Sequence, residues 1–287
     1  MKPALRQYFE SLLGNPVQHL AVVSGGDISK AYSFDSGKAQ YFCKVNSSPA
    51  ALQMFHAEAD GLQAIARTNA IKAPDITKVG VFEGEAFLLM PFIASRRPDH
   101  RDMAAFGSQL AALHRSGTLP FGWTSDNFIG SLPQSNKAHD DWPCFYARER
   151  LLPQLQLAYN RQLLEMSDIP GENMLEAVMR DHCGEVRPSL LHGDLWGGNY
   201  IISLKGEPFL IDPAVYVGHN EMDLAMTRLF GGFSPAFYEA YEHINPTEPG
   251  AGERESLYQL YNLLVHLNLF GLSYRPRVRI ILSRFFR

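Results

Sequence analysis

Near residue 93 the hydrophobic pattern of this 287-residue chain changes period, and that change limits the architecture more than any other feature. Upstream the pattern is short and strand-like: 19–24, 28–34, 39–45, 77–82 and 85–92 are rich in β-formers and are separated by turn residues such as Gly25-Gly26, Asp35-Ser36-Gly37-Lys38 and Glu83-Gly84. One helix interrupts them over 49–68, where Leu52, Phe55, Ala59, Leu62 and Ile65 recur at helical spacing. Beyond the polar stretch 94–99 the patterns lengthen into helices over 103–116, 141–166, 174–183, 222–230, 235–244 and 253–272, with short strands and loops across 189–217. The expected fold is α+β and bilobal, with a small antiparallel β-rich lobe over 1–93 and a larger, mainly helical lobe over 94–287. A cleft between two such lobes is a common place for a ligand.

The stretch 189–217 carries the chemistry. His192 stands two residues before Asp194, and Asn199 stands five after it. This is the H-x-D-x-x-x-x-N spacing of kinase catalytic loops. Phosphoryl transfer asks the protein for a carboxylate that orients and deprotonates the attacking hydroxyl, and for oxygen ligands to Mg²⁺. Asp194 is the candidate base and Asn199 a neutral oxygen donor to the metal. The apolar run Phe209-Leu210-Ile211 ends in Asp212, 18 residues after Asp194, which is the candidate carboxylate for Mg²⁺. Pro213-Ala214 follow Asp212 where protein kinases carry Phe-Gly, so a switch built on flipping that phenylalanine is not available. Gly193 replaces the arginine that reads an activation-loop phosphate in regulated kinases, which predicts an enzyme without that control.

The small lobe is expected to hold the nucleotide. Gly25 and Gly26 suit a loop whose backbone N–H groups approach phosphate oxygens, although a full G-x-G-x-x-G is absent. Lys44, at the end of the third strand, is placed for the α- and β-phosphates, with Glu58 in the following helix as its expected partner. Met90-Pro91-Phe92-Ile93 ends the fifth strand at the joint, where the Pro91 carbonyl accepts from the adenine amine and the Ile93 N–H donates to the ring. ATP and Mg²⁺ are the ligands these residues imply.

The loop His192-Gly193-Asp194-Leu195-Trp196-Gly197-Gly198-Asn199 resembles that of the fructosamine/ketosamine kinase family, which has a protein-kinase-like fold related to aminoglycoside phosphotransferases. Trp196-Gly197-Gly198 separates it from most aminoglycoside and choline kinases. Asn127-Phe128-Ile129-Gly130 through Asp140-Asp141-Trp142 agrees with the family. So do Asp212 to Tyr216 with Glu221 to Ala225, and Tyr258 to Tyr261 with His266 to Gly271. The resemblance spans nearly the whole chain. It implies ATP-dependent phosphorylation of a sugar hydroxyl, the 3-hydroxyl in better-studied members, on a free or protein-bound ketosamine, by a monomer or homodimer. Asp27 stands where several eukaryotic members carry cysteine, so redox control at that position is not carried over. Two alternatives remain at this level: an aminoglycoside- or choline-type phosphotransferase, for which Asp140, Asp141 and Glu149 are the available acids, and a non-catalytic nucleotide-binding module.

Other residues carry paired readings. Trp196 either stacks on a sugar face or packs under the loop. His266 and Asn268, in an otherwise apolar helix, are either substrate contacts or satisfied core groups. Asp223 and His192 read as braces of the catalytic loop. Five arginines over 275–287, set among Ile280, Ile281, Leu282, Phe285 and Phe286, read as an amphipathic helix docked on the large lobe. A net charge of −4 speaks against nucleic acid. No apolar run is long enough for a bilayer, the N-terminus does not read as a signal peptide, and three scattered cysteines fit a reducing cytoplasm.

Overall fold

A computed structural model describes residues 1–23, 29–118 and 120–286. The chain opens with α1 (Pro3–Leu13), then β1 (Val17–Val23), β2 (Lys30–Ser36), β3 (Ala39–Asn46), α2 (Ala51–Arg67), β4 (Lys78–Phe82) and β5 (Glu85–Pro91). The strands form one antiparallel sheet in the order β1-β2-β3-β5-β4. Side chains alternate across it. Cys43, Val45, Phe87 and Leu89 pack with Leu5 and Phe9 of α1, whereas Ala86, Leu88 and Met90 pack with Phe55, Ala59 and Leu62 of α2. Lys44 lies between Cys43 and Val45 and shares the α2 face, so strand parity alone directs it toward Glu58.

The helix α1 was not anticipated. Only Leu5 and Phe9 are buried on it, a stripe too brief to stand out as a periodic pattern. Its Phe9 ring lies 5.0 Å from Phe87, edge to face, and it ends at Gly14 in the left-handed region, φ 69°.

The rest of the chain contains α3 (His100–His114), β6 (Asn127–Ile129), β7 (Leu132–Gln134), α4 (Trp142–Phe145), a π-helical turn (Tyr146–Leu151) and α5 (Leu152–Asn160). Then come α6 (Glu172–Cys183), β8 (Pro188–Leu191), β9 (Tyr200–Ile202), β10 (Pro208–Leu210), β11 (Tyr216–His219), α7 (Glu221–Phe230), α8 (Pro235–Ile244), α9 (Ala251–Phe270) and α10 (Arg275–Phe285). The helix expected over 141–166 runs over 142–160, with a π-helical turn inside it, and ends six residues early. Pro153 offers no N–H and its ring needs space one turn back, and the widened turn lies directly before it. Tyr146, Leu151, Leu257, Tyr258 and Leu264 anchor the main core of this region. The α3 and α8 helices cross so closely that a Cβ on Gly107 would meet the Phe237 carbonyl oxygen at 2.0 Å. The terminal helix docks as expected: Val278, Ile281 and Leu282 join the main core, and Arg279 bonds Asp168 at 2.7 Å. No helix among the described residues is long and apolar enough to cross a membrane.

Candidate active site

Two small antiparallel strand pairs, β8 with β11 and the hairpin β9–β10, present the loop 192–199 beside the segment 211–215. Backbone bonds stitch the two together: Ala214 N donates to His192 O at 2.9 Å, and Ile211 N donates to Asn199 O at 3.1 Å. Gly193 sits between them at φ 82°, and a Cβ there would meet the Ala214 carbonyl oxygen at 2.1 Å. The missing arginine thus has a local cause, because no side chain fits that position. The His192 ring donates from Nε2 to Ile211 O at 2.8 Å and accepts the Asp194 N–H on Nδ1 at 3.2 Å, the pattern of a neutral imidazole. Burial also holds its pKa below the ordinary value.

Asp223, in the first turn of α7, braces the loop from below. Its Oδ2 accepts the His192 N–H at 2.7 Å and the His114 Nε2–H at 3.1 Å, and its Oδ1 accepts the Gly193 N–H at 2.9 Å. Burial opposes its ionisation, but these donors, His114 foremost, keep its pKa below the usual carboxylate range. His114 was not singled out in the sequence; its only signal is a polar residue at the end of an apolar helical pattern.

The reactive groups converge from four elements. Asn199 Nδ2 donates to the Asp194 carbonyl at 2.8 Å and to Asp194 Oδ2 at 3.0 Å. Lys44 Nζ donates to Glu58 Oε1 at 2.8 Å and to Asp212 Oδ1. Burial opposes the charge on Lys44, but Asp212 and Glu58 outweigh it and hold the amine above its usual range. Burial likewise opposes ionisation of Asp212, and Lys44 overcomes it, so that carboxyl stays low. Glu58 is pushed up to about 7 by burial, against the pull of Lys44. Asp194 is pushed up to about 7 by burial, with the charge of Asp212 adding to the shift. Two carboxylates in one site are thereby separated into an ionised acceptor of cations and a carboxyl poised to take a proton.

Packing between α2 and the strand after Asp212 fixes this arrangement. A Cβ on Gly61 would lie 3.0 Å from Pro213 Cγ and 3.3 Å from Val215. Asp212 itself takes a left-handed conformation, φ 55°, a costly one for a residue other than glycine and a mark of a functional position.

Lys44, Glu58, Met90, Pro91, Ile93, Asp194, Trp196, Asn199, Asp212 and His266 all line one cleft of about 1100 Å³. Gly25 and Gly26 lie outside the described residues. One end of the cleft, by Pro91 and Ile93, is walled by Ala31, Phe42, Ile201 and Ile211, an apolar slot of the kind a flat heterocycle occupies. The other end is aromatic. Phe230 stacks on His266 at 4.3 Å, with Phe270 and Tyr274 at 5.4 and 5.2 Å from the same ring. Trp196 is 43% exposed, and Gly198 leaves room beneath it: a Cβ there would meet the indole at 2.4 Å. Phe230, Phe270 and Tyr274 escaped the sequence reading because aromatic residues at helix ends read equally well as core.

Asn268 is a correction. It does not line the cleft: its Nδ2 donates to Gln154 O and Oε1, both at 2.9 Å, and it is buried between α5 and α9. Two residues along a helix are roughly 200° apart, so Asn268 and His266 cannot share a face. Asp140, Asp141 and Glu149 do not line the cleft either; Asp141 pairs with Arg180 at 2.6 Å and Glu149 with His139 at 2.9 Å.

The sequence profile of the fructosamine kinase family matches residues 1–287. A probable ketoamine kinase of Synechocystis is 40% identical over 99% of this chain and 96% of its own length. A chloroplastic protein-ribulosamine 3-kinase of rice is 38% identical over 92% of this chain and 78% of its own. The crystal structure of a Haemophilus somnus protein assigned as a fructosamine-3-kinase superposes with a TM-score of 0.87 at 27% identity, over 99% of this chain and 97% of that one. An aminoglycoside phosphotransferase solved with AMP-PNP and hygromycin B is 19% identical, covers 98% of both chains with a TM-score of 0.67, and shares the fold alone. The kinase-like cleft, its paired carboxylates and a match along the full length converge on one assignment: the chain belongs to the fructosamine kinase family.

Proposed function

We propose that this protein transfers the γ-phosphoryl group of ATP to a sugar hydroxyl of a ketosamine, the 3-hydroxyl of a fructosamine or ribulosamine. The observation that carries the reading is Asp194, held by Asn199, with a pKa raised to about 7, in the same cleft as the Lys44–Glu58–Asp212 cluster. Asp194 orients the acceptor hydroxyl and takes its proton as the oxygen bonds to the γ-phosphorus; the bond to the β,γ-bridging oxygen breaks, and ADP leaves. Lys44, steadied by Glu58, meets the phosphates, and the apolar slot beside Pro91 and Ile93 takes the adenine. Residues 1–93 thus serve as the nucleotide lobe and 94–287 as the catalytic and acceptor lobe.

Asn199 and Asp212 fit Mg²⁺. Both offer hard oxygen donors, and Asn199 Nδ2 is already committed to Asp194, which leaves its Oδ1 for the ion. Among the described residues no group of three or more His, Cys, Asp or Glu is arranged to hold a metal. Asn199 and Asp212 would be the two protein ligands of such an ion. When bound, the ion neutralises charge that develops on the phosphates.

The aromatic end suits the acceptor. The exposed Trp196 indole offers an apolar face for a sugar ring. His266 donates from Nδ1 to Asn262 O at 2.8 Å, and burial lowers its pKa, so neutral Nε2 is available to accept from a hydroxyl. The ATP requirement and three unpaired cysteines support a cytoplasmic setting.

The test is ATP consumption against fructosyl-lysine, ribulosyl-lysine, choline and kanamycin, with Asp194→Asn in parallel. Turnover with the two ketosamines, and a loss of about 10²–10⁴-fold in the variant with nucleotide binding intact, is expected. Turnover with kanamycin alone overturns the acceptor class, and substantial transfer by Asp194→Asn removes Asp194 from its role.

A further inference from the structure

A second cavity, sharing no lining residue with the cleft, lies among the ends of α3 and α8 and the starts of α7 and α9. It encloses about 170 Å³, far more than the ~15 Å³ that one water requires. Its lining is mixed: Leu224, Ala225 and Ile244 stand beside His114, Arg115, Arg187, Asn220, Tyr241 and Glu248.

The cavity is lined by three arginines and three glutamates, and their pairing is uneven. Glu221 is taken by Arg254 at 2.7 Å, and Arg228 is taken by Glu255 and Glu242 at 3.3 and 3.5 Å. Arg115 bonds only neutral acceptors, Asn245 Oδ1 at 2.8 Å and the Ile244 carbonyl. Among the described residues Arg187 makes no ion pair, and neither does Glu248, so Arg115 and Arg187 are guanidinium groups at the cavity without a carboxylate partner. Two guanidinium groups around a small cavity favour an oxyanion.

The cavity is wired to the catalytic loop. Tyr241, almost fully buried, places its hydroxyl 2.7 Å from His114 Nδ1 and accepts from Asn220 Nδ2 at 2.8 Å. The other nitrogen of His114 holds Asp223, and Asp223 holds the backbone of His192 and Gly193. The Tyr241 hydroxyl has one proton to give. An oxyanion in the cavity competes for it, His114 Nδ1 loses that donor, and the prop beneath Asp223 slackens.

We propose that this cavity is a regulatory site for a small oxyanion, clasped by Arg115 and Arg187 and read by the catalytic loop through Tyr241, His114 and Asp223. Occupancy lowers kcat and leaves the KM for ATP unchanged, because the relay meets the loop and not the nucleotide slot.

A thermal-shift titration with inorganic phosphate tests the site, with AMP-PNP and Mg²⁺ saturating so that the cleft is filled. The melting temperature should rise saturably, and Arg187→Ala, outside the catalytic machinery, should raise the half-saturating phosphate about tenfold, the loss of one charge-assisted contact. Methyl phosphate and acetate distinguish the sources: stabilisation by methyl phosphate assigns a phosphate ester, and stabilisation by acetate assigns a carboxylate. No saturable rise, or an identical curve in Arg187→Ala, overturns the site. This measurement involves no acceptor, so it stands or falls separately from the ketosamine assignment. The relay is tested by kcat. Saturating phosphate should lower it severalfold in the native protein and leave Tyr241→Phe unaffected, while that variant still binds phosphate. An equal drop in Tyr241→Phe overturns the relay.

Discussion

Asn199 holds Asp194 twice with one amide group, at 2.8 Å on the backbone carbonyl and 3.0 Å on the carboxylate. The carboxyl proposed as the base is thereby fixed in place while its environment raises its affinity for a proton. Activity should therefore fall as pH drops below about 7, where Asp194 is protonated and can no longer accept, and should level off above it. Glu58 is also raised to about 7 and titrates over the same range. The two separate by substitution: Glu58→Gln should keep the acidic limb of kcat/KM for the ketosamine. Loss of that limb in Glu58→Gln would reassign it.

Gly193→Ala should be among the most damaging single-methyl additions in the chain. Its positive φ costs about 1–2 kcal/mol for any L side chain, and the Ala214 carbonyl, 2.1 Å from the new Cβ, has to move. That carbonyl lies two residues from Asp212, so kcat should fall together with the urea midpoint. A variant with native stability and native kcat would show that the loop accommodates a side chain.

Lys44→Met should separate stability by pH. Removing one partner of a buried ion pair costs about 3–5 kcal/mol, here by leaving Glu58 and Asp212 facing each other. Glu58, already raised, relieves the repulsion by taking a proton. The deficit in melting temperature relative to native protein should thus be larger at pH 8 than at pH 5.5. An equal deficit at both would mean that the carboxylates do not interact.

Trp196→Ala and Asn268→Ala should fail in opposite ways. The first removes an exposed ring at the acceptor end and should raise the ketosamine KM about tenfold, or ~1.4 kcal/mol, with the melting temperature unchanged. The second strands the polar atoms of Gln154 in the core and should cost about 1–3 kcal/mol of stability, with KM unchanged. Steady-state kinetics and thermal melts on both variants decide this, and a raised KM in Asn268→Ala would reverse the correction made above.

The sequence placed the polar cluster of the cleft better than the walls around it. That Asp194, Asn199, Asp212, Lys44 and Glu58 meet in one cleft was legible because the proposed chemistry asks for a residue type at a fixed place on a strand or helix, and strand parity aims Lys44 without help. The aromatic end was half-legible. His266 was visible as a polar interruption in an apolar helix, but its neighbour Asn268 offered the same signal, and only the angle around α9 tells them apart. Phe230, Phe270 and Tyr274 were not legible, since an aromatic ring on a cleft wall and one in a core share the same pattern. The β6–β7 hairpin was missed for another reason: three-residue strands give no period to detect. His114 was hidden because its partners, Asp223 and Tyr241, lie 109 and 127 residues away.

The contact of Gly61 with Pro213 has a mechanical consequence. It joins the helix bearing Glu58 to the residue after Asp212, with no more than a hydrogen's clearance on the glycine side. A rotation of α2 about this contact would displace nearby Glu58 and Asp212 little and more distant parts of α2 more. The pairing of Lys44 with both carboxylates would then be the last part of the cleft to be disturbed.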